Sequence, residues 1–551
     1  MRRIPLGGER VLFGALLAIH LIPIWSFAHF PTQDGPTHLE NAQILREYHF
    51  ADRTAFREYY TLNTQLNPNW STHLLLAGLL WVFPPLISEK ILLSGYVLLL
   101  PLSARYALRA LSPGSEFLAL LAFPFIYNLL LTMGFYNFVY SLPVFFFFVG
   151  LWLKNRGGLS ARAIAKLASL ALLLFFCHLV SLVMAMCLIA VAVLWLTVAD
   201  AWTRIRSNSG GLRSALAAAG SGHLPALIAF IPALILAAVF LSRRGIGGFP
   251  SPPFHELLKR LINLDSLASH NARELILSTA LAGLFGAMTI YMIAMKARER
   301  RLEPLDVLLL VAGLYLVVYF SAPSGLSGGG FLTHRLNLFP YFALLLWLGA
   351  QKWSQIPRGI IRLAAVVLAA GIVVLQTLSY AAINVQLDEY LSGMNMIEKN
   401  STLLPLCYSP FGRGSDEGRL SARVGMFLHA AGYIAAERRA VELDNYEANS
   451  DYFPTMYRPE RNPEVHLALR EGGLEKQPPC VDLLSYAART GGTVDYVLVW
   501  DLRRELMTHR CVRVVLEQLS AGYDLVHTSP AGLMQLYRRK DYERSGASDS
   551  R

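Results

Sequence analysis

The sequence predicts a polytopic α-helical membrane protein of about eleven transmembrane helices, followed by a C-terminal α/β domain outside the membrane. Two observations carry the prediction. Hydrophobic residues make up 54% of the 551 residues and charged residues only 16%, where a soluble chain carries about a quarter. The apolar residues are also bunched between Val11 and Ala382. Several of their blocks reach the length of about 20 residues that spans a bilayer. From about residue 383 the chain turns polar, with Pro and Gly interspersed. The expected domains are therefore 1–382 in the membrane, with a long first loop at 31–85, and 383–551 beyond it.

Spans are expected near 11–30, 86–104, 116–132, 137–153, 163–177, 180–199, 223–242, 274–295, 304–321, 336–351 and 360–382. With the N-terminus inside, the inner segments hold nineteen Lys and Arg, and the outer segments before the tail hold nine. That is the bias of the positive-inside rule. The net charge of +11 then follows from topology, not from nucleic-acid binding. Residues 11–30 form a long apolar block with no small-x-small cleavage site after it, so they read as a span, not a signal peptide.

Residues 167–199 carry no Asp, Glu, Lys or Arg. One helix of that length would run about 50 Å, too long for a hydrocarbon core of about 30 Å. Basic residues flank both ends, which fits two helices turning near His178; one long tilted helix is the alternative. Ser71 to Phe83 is apolar but short, with Pro84-Pro85 after it, and reads as lying against the outer interface.

This topology gathers polar features on the outer side. The first loop holds a helix beginning at Pro36, where a missing N–H costs nothing. Leu39, Ala42, Leu45 and Tyr48 form one stripe, and Glu40, Gln43 and Glu47 lie opposite. Asp34 precedes this helix. At a helix start an Asp complements the dipole; a carboxylate held just outside the membrane is equally where a general base belongs. Residues 253–264 repeat the amphipathic pattern, with Lys259 and Arg260 on a basic face suited to lipid phosphates or to plain solvation. The glycine-rich stretch from Ser324 to Gly330 suits close backbone approach. It leads through His334 and Arg335 into the next span, where Arg335 either snorkels to the interface or binds a phosphate bidentately. His178 lies inside an apolar block, where an ionisable group is costly.

The tail shows strand patterns at 402–408, 495–500, 523–528 and 533–538 and helix patterns at 419–437, 480–488 and 501–519, an α/β alternation. Five cysteines are too few for a disulfide scaffold. Cys177 and Cys187 fall in apolar blocks as packing residues, and counting alone leaves a Cys480–Cys511 pair open. No Walker loop, dinucleotide fingerprint or zinc-ligand spacing is present. Asp388-Glu389 and Asp416-Glu417 read as solvated surface.

The motif Gln33-Asp34-Gly35-Pro36-Thr37-His38-Leu39, the long first loop, the Asn67-Pro68-Asn69-Trp70 stretch, the span number and the outer tail together resemble the GT-C glycosyltransferases. These polytopic enzymes, bacterial aminoarabinose transferases and protein O-mannosyltransferases among them, move a sugar from a polyprenyl-phosphate donor. The resemblance covers residues 1 to about 382 as architecture. It implies an inverting displacement at the anomeric carbon, in which Asp34 takes the proton from a glycan, lipid or protein acceptor. The phosphate leaving group needs a cationic cradle, with Arg335 the first choice and His334, Lys259 and Arg260 weaker ones. His38, four residues after Asp34, would face the same cleft, and the isoprenoid tail would lie between spans. Many members carry an acidic pair at this motif. This chain has Asp34 followed by Gly35, so the motif offers a divalent metal only one carboxylate. A transporter or lipid flippase is the competing class; it predicts internal repeats and mid-membrane charges, and no convincing repeat is visible. A scaffold presenting the tail would leave Asp34 and the glycine-rich loop unexplained.

Overall fold

Apolar length decides most of the helices. The computed structural model describes residues 6–207, 212–244, 247–326, 329–414, 418–469, 473–474 and 476–542. Ser327 and Gly328 of the glycine-rich stretch, and Asp416-Glu417, lie outside them. Among the described residues seven helices are long and apolar enough to cross a membrane: Gly8–Trp25, Pro85–Leu111, Tyr136–Asn155, Leu179–Arg206, Ala272–Glu299, Pro304–Ser321 and Gln355–Met396. An eighth results if Leu216–Ile228 and Ile231–Ser242, bent by 49° at their join, count as one span. The protein is thus helical and membrane-associated, but this set falls short of the expected eleven.

The shortfall has physical reasons. Residues 116–132, expected as a spanning helix, fold instead into a ten-residue 3-10 helix, Glu116–Phe125, with Pro124 inside it, and a short turn of α-helix at Leu129–Thr132. All residues from Phe117 to Phe125 are buried. This stretch and the residues just after it run back along the Pro85–Leu111 helix. At one end Ser115 Oγ donates to the Leu108 carbonyl at 2.7 Å. At the other, Tyr136 donates to Glu89 at 2.8 Å, about 28 Å back along the helix axis. Irregular backbone at such depth is tolerated where protein surrounds it. Two further helices, Ala161–Cys177 and Leu332–Gly349, are shorter or less apolar than the seven.

The charge-free stretch does break at His178. One helix ends at Cys177 and the next begins at Leu179, with His178 extended (φ −166°, ψ 130°) and its Nδ1 accepting the Val180 N–H at 3.2 Å. Ser71–Leu79 forms a nine-residue helix, too short to cross, followed by exposed Trp81, Val82 and Phe83.

The Gln355–Leu391 helix runs on past residue 382 into the tail. There strands β2 (Thr402–Cys407), β3 (Val441–Glu442), β5 (Tyr496–Trp500), β6 (Tyr523–Thr528) and β7 (Met534–Arg539) form one sheet in the order β3-β2-β5-β7-β6. The first three run parallel, while β7 is antiparallel to both β5 and β6. A second, two-stranded sheet pairs β1 (Tyr60–Leu62), from the first loop, with β4 (Thr455–Tyr457), from the tail. Of the expected tail helices, 419–437 shrinks to Ala431–Arg438, 480–488 to Tyr486–Thr490, and 501–519 becomes a 3-10 turn plus Arg510–Gly522. Cys480 and Cys511 are disulfide-bonded. Asp388 is exposed, as expected, while Glu389 accepts the Ala531 N–H at 3.0 Å.

The first-loop helix, Gly35–Glu47, departs most from expectation. Every residue in it except Leu45 and Arg46 is buried. Its polar face, expected in water, is covered by the tail. Gly432 packs so closely on this helix that a Cβ there would lie 2.5 Å from the Pro36 carbonyl carbon.

Candidate functional site

Covering that polar face creates the most unusual chemistry in the molecule. Glu40 accepts hydrogen bonds from Tyr60 (3.1 Å) and from Asn445 Nδ2 (3.0 Å). Asn41 Nδ2 donates to Glu447 Oε2 at 2.6 Å. Glu47 pairs with Arg53 at 2.6 Å and Arg439 at 3.1 Å. Burial pushes Glu40 up to about 8. Burial, with the charge of Glu40 beside it, also holds Glu442 well above the usual carboxyl range.

Asp34 occupies the N-cap position of this helix but makes no capping hydrogen bond. Thr32 Oγ1 takes over the first free N–H, that of Gly35, at 3.1 Å. The Asp34 carboxylate is thereby released into a cavity of about 510 Å³, within the size range of small-molecule sites. Gln33 Nε2 donates to Asp34 Oδ1 at 3.1 Å, and Gln33 Oε1 in turn accepts the Gly425 N–H at 3.0 Å. The tail therefore holds the residue that holds Asp34. Burial is the largest influence on Asp34 and pushes its pKa up to about 7, against opposing pulls from His38 and Gln33. His429 Nε2 lies 3.9 Å from Oδ1; burial pushes that ring down to about 3, so it is neutral.

The backbone behind Asp34 is equally specific. Gly134 takes φ +85°, and a Cβ there would lie 2.7 Å from the Asp34 nitrogen; only glycine combines that conformation with that approach. Its carbonyl accepts from His38 Nε2 at 2.7 Å. On the other side of the His38 ring, Nδ1 lies 2.7 Å from Glu447 Oε1 and 3.1 Å from His73 Nε2. Burial alone would lower His38, but the Glu447 carboxylate overrides it and raises the imidazole above its ordinary value. Burial alone would raise Glu447; His38 and His73 reverse that and hold it well below the usual carboxylate range.

Arg335 lines the same cavity. Its guanidinium stacks on Phe135 at 4.5 Å, Nη1 donates to the Gly330 carbonyl, and Nε is buried without a partner. Arg244 adds a second cation. It pairs with Asp451 and stacks on Tyr452 at 4.5 Å. Phe138, Leu179, Val180, Phe240 and Leu332 supply an apolar wall.

The structure therefore brings Asp34, His38, His178 and Arg335 together around one cavity. It does not bring the other three candidates there. His334 lies 3.7 Å from Asp265 and 3.3 Å from Arg423. Arg260 pairs with Glu256 one helical turn back. Lys259 is exposed on the Phe254–Ile262 helix. Sequence reasoning missed His73, Arg244, His429, Tyr446 and Glu447. An isolated His in a short apolar helix and an Asn-rich tail turn carry no local signal; only the tail's docking shows their purpose. No protein-family model and no curated protein matches this chain, so the chemistry of the site rests on its own residues.

Proposed function

We propose that the protein is a membrane glycosyltransferase that moves a sugar from a polyprenyl-phosphate donor to a glycan, lipid or protein acceptor, with Asp34 as the general base. One observation carries this reading: an uncapped, buried carboxylate with a pKa of about 7 shares a cavity with two arginines and an apolar wall. A base is most effective when its pKa lies near the working pH. Asp34 takes the proton of the acceptor hydroxyl or amine as that atom attacks the anomeric carbon. The bond from that carbon to the donor phosphate breaks, and the phosphate leaves with its charge. Arg335 and Arg244 supply the cations that stabilise it. The wall of Phe138, Leu179 and Phe240 suits the first isoprene units. The resemblance to the GT-C enzymes supports inversion at the anomeric carbon.

The membrane arrangement follows the same reading. Counting Glu116–Thr132, Ala161–Cys177 and Leu332–Gly349 as crossings, together with the bent pair, gives eleven. An odd number puts the two ends on opposite sides; with the N-terminus in the cytoplasm, as the Lys and Arg bias favours, the tail lies outside the cell membrane, on the side where Asp34 faces the donor. The Cys480–Cys511 bond suits an oxidising compartment.

The test is transfer in reconstituted lipid, using a panel of radiolabelled polyprenyl-phosphate sugars and a membrane-glycan extract. Transfer by the wild type and none by Asp34→Asn supports the assignment. Full transfer by Asp34→Asn removes Asp34 from the role of base. Donor-lipid binding without transfer, equal in both proteins, favours a lipid flippase instead.

A further inference from the structure

Behind the cavity wall, three buried side chains converge on one another. They come from three separate parts of the chain: His38 from the first-loop helix, His73 from the short Ser71–Leu79 helix and Glu447 from the tail. His38 is 3% exposed, His73 and Glu447 not at all. Each imidazole has its outer nitrogen against a backbone carbonyl: His38 Nε2 at 2.7 Å from Gly134 O, and His73 Nδ1 at 3.2 Å from Asn69 O. If both outer nitrogens donate, both inner nitrogens are left as lone pairs facing each other across 3.1 Å. Two lone pairs that close repel unless a proton or a metal cation lies between them.

The carboxylate points the same way. Glu447 Oε2 is 2.9 Å from His73 Nε2, and Asn41 Nδ2 steadies it at 2.6 Å. The other oxygen, Oε1, is buried 2.7 Å from His38 Nδ1. One ligand atom from each of the three buried residues thus lies within 4.8 Å of the other two.

We propose that His38 Nδ1, His73 Nε2 and a Glu447 carboxylate oxygen form a binding site for one zinc-class divalent ion. Two imidazoles and a carboxylate are a donor set that zinc takes in catalytic sites, with a coordination position left open. Around a tetrahedral ion with bonds of about 2.0–2.1 Å, ligand atoms lie about 3.3 Å apart. The two nitrogens are 3.1 Å apart, and each has one Glu447 oxygen beside it, Oε2 at 2.9 Å from His73 and Oε1 at 2.7 Å from His38; one ligand atom from each residue lies within 4.8 Å of the others, so a turn of the carboxylate brings the set onto one ion. The carbonyl on each outer nitrogen fixes the tautomer and ring angle that a bound metal requires. His38 also lines the cavity, which gives the site an edge towards exchangeable ligands. Asp34 has no acidic neighbour in sequence; here Glu447 supplies a carboxylate from the far end of the chain. The site does not depend on the transfer reading and is tested without it.

The test uses full-length protein in detergent or lipid, stripped with a chelator and reloaded with Zn²⁺ or Co²⁺. Wild type should retain about one Zn²⁺ per chain after desalting. Glu447→Gln and His73→Gln should each weaken Zn²⁺ binding by more than the 10–100-fold that loss of an outer-shell partner costs. Zn²⁺ should raise the melting temperature of wild type alone. Co²⁺-loaded wild type should show the intense visible absorption of low-coordinate cobalt with nitrogen and oxygen ligands, a reading that needs no variant to fold. Failure of stripped wild type to bind Zn²⁺, an octahedral aqueous Co²⁺ spectrum, or equal binding by both variants overturns the proposal.

Discussion

His38 Nδ1 lies 2.7 Å from Glu447 Oε1, although one residue belongs to the first loop and the other to the tail. That contact makes the two ends of the chain parts of one buried polar layer. Glu40, Asn41, Asn445 and Glu447 continue it, so the polar face of the first-loop helix meets protein and not water. The tail is therefore a wall of the candidate site. The consequences below can each be measured.

Asp34→Asn keeps the shape of the side chain and its contact with Gln33, but removes the proposed base. Transfer should fall by at least ~100-fold, the lower end of what a positioned base contributes, with the protein still folded by melting temperature. Activity within about threefold of wild type would leave Asp34 no catalytic part.

Because burial lifts Asp34 to about 7, its carboxyl group is mostly protonated in mild acid. The rate of the chemical step should rise with pH through about 7 and level off above it. A pH profile taken with saturating donor reads this directly, and a flat profile from 5.5 to 8.5 would separate the rate from Asp34.

Arg335 stacks on Phe135 while leaving buried Nε without a partner. Arg335→Ala should raise the KM for the proposed polyprenyl-phosphate donor by about 10–150-fold, the worth of one charge-assisted hydrogen bond at about 1.5–3 kcal/mol. Arg335→Lys should recover only part of this, since an ammonium lacks the planar fork. Donor titrations across the three proteins decide it.

Glu40 and Glu442 are held protonated in the fold, Glu40 up to about 8 against an ordinary 4.5. In the unfolded chain both ionise near 4.5, so between that pH and about 8 the native state binds more protons. Stability is then fullest below the unfolded value and is lost as pH rises towards 8. Glu442→Gln should flatten that decline and raise the melting temperature at pH 8 relative to wild type, with little change at pH 5. Parallel slopes for the two proteins would contradict it.

A methyl group at Gly432 would press into the Pro36 backbone. Gly432→Ala should lower stability by about 1–3 kcal/mol, as overpacking does, and loosen the tail from the first loop. Limited proteolysis should then cut between the Gln355–Leu391 helix and Ala431 faster than in wild type.

Much of this was legible because it depends on short-range pattern. Apolar length marks the long helices, the run without charges favours the break at His178, and short apolar runs mark β2 and β5. Asp34, His38, His178 and Arg335 meet because each lies at the same end of a helix near that cavity. What stayed hidden depends on docking. Glu40, Gln43 and Glu47 spell a wet helix face, and nothing local says that β3 and the Tyr446–Asn449 turn will cover it. Residues 116–125 read as helix because apolar content does not distinguish a spanning α-helix from a 3-10 segment enclosed by neighbours. His334 and Arg260 looked free in sequence but meet Asp265, Arg423 and Glu256 in space.

The antiparallel pairing of β1 with β4 has a consequence for how the molecule is made. Residues 60–62 leave the ribosome long before residues 455–457, so the first loop waits, with its carboxylates uncovered, while the whole bundle is threaded into the bilayer. Only when residues 425–457 have been made can Gly425 grip Gln33 and Glu447 reach His38. A chain that stops before that stretch thus carries Asp34 without the setting that Gln33 and His38 take from the tail.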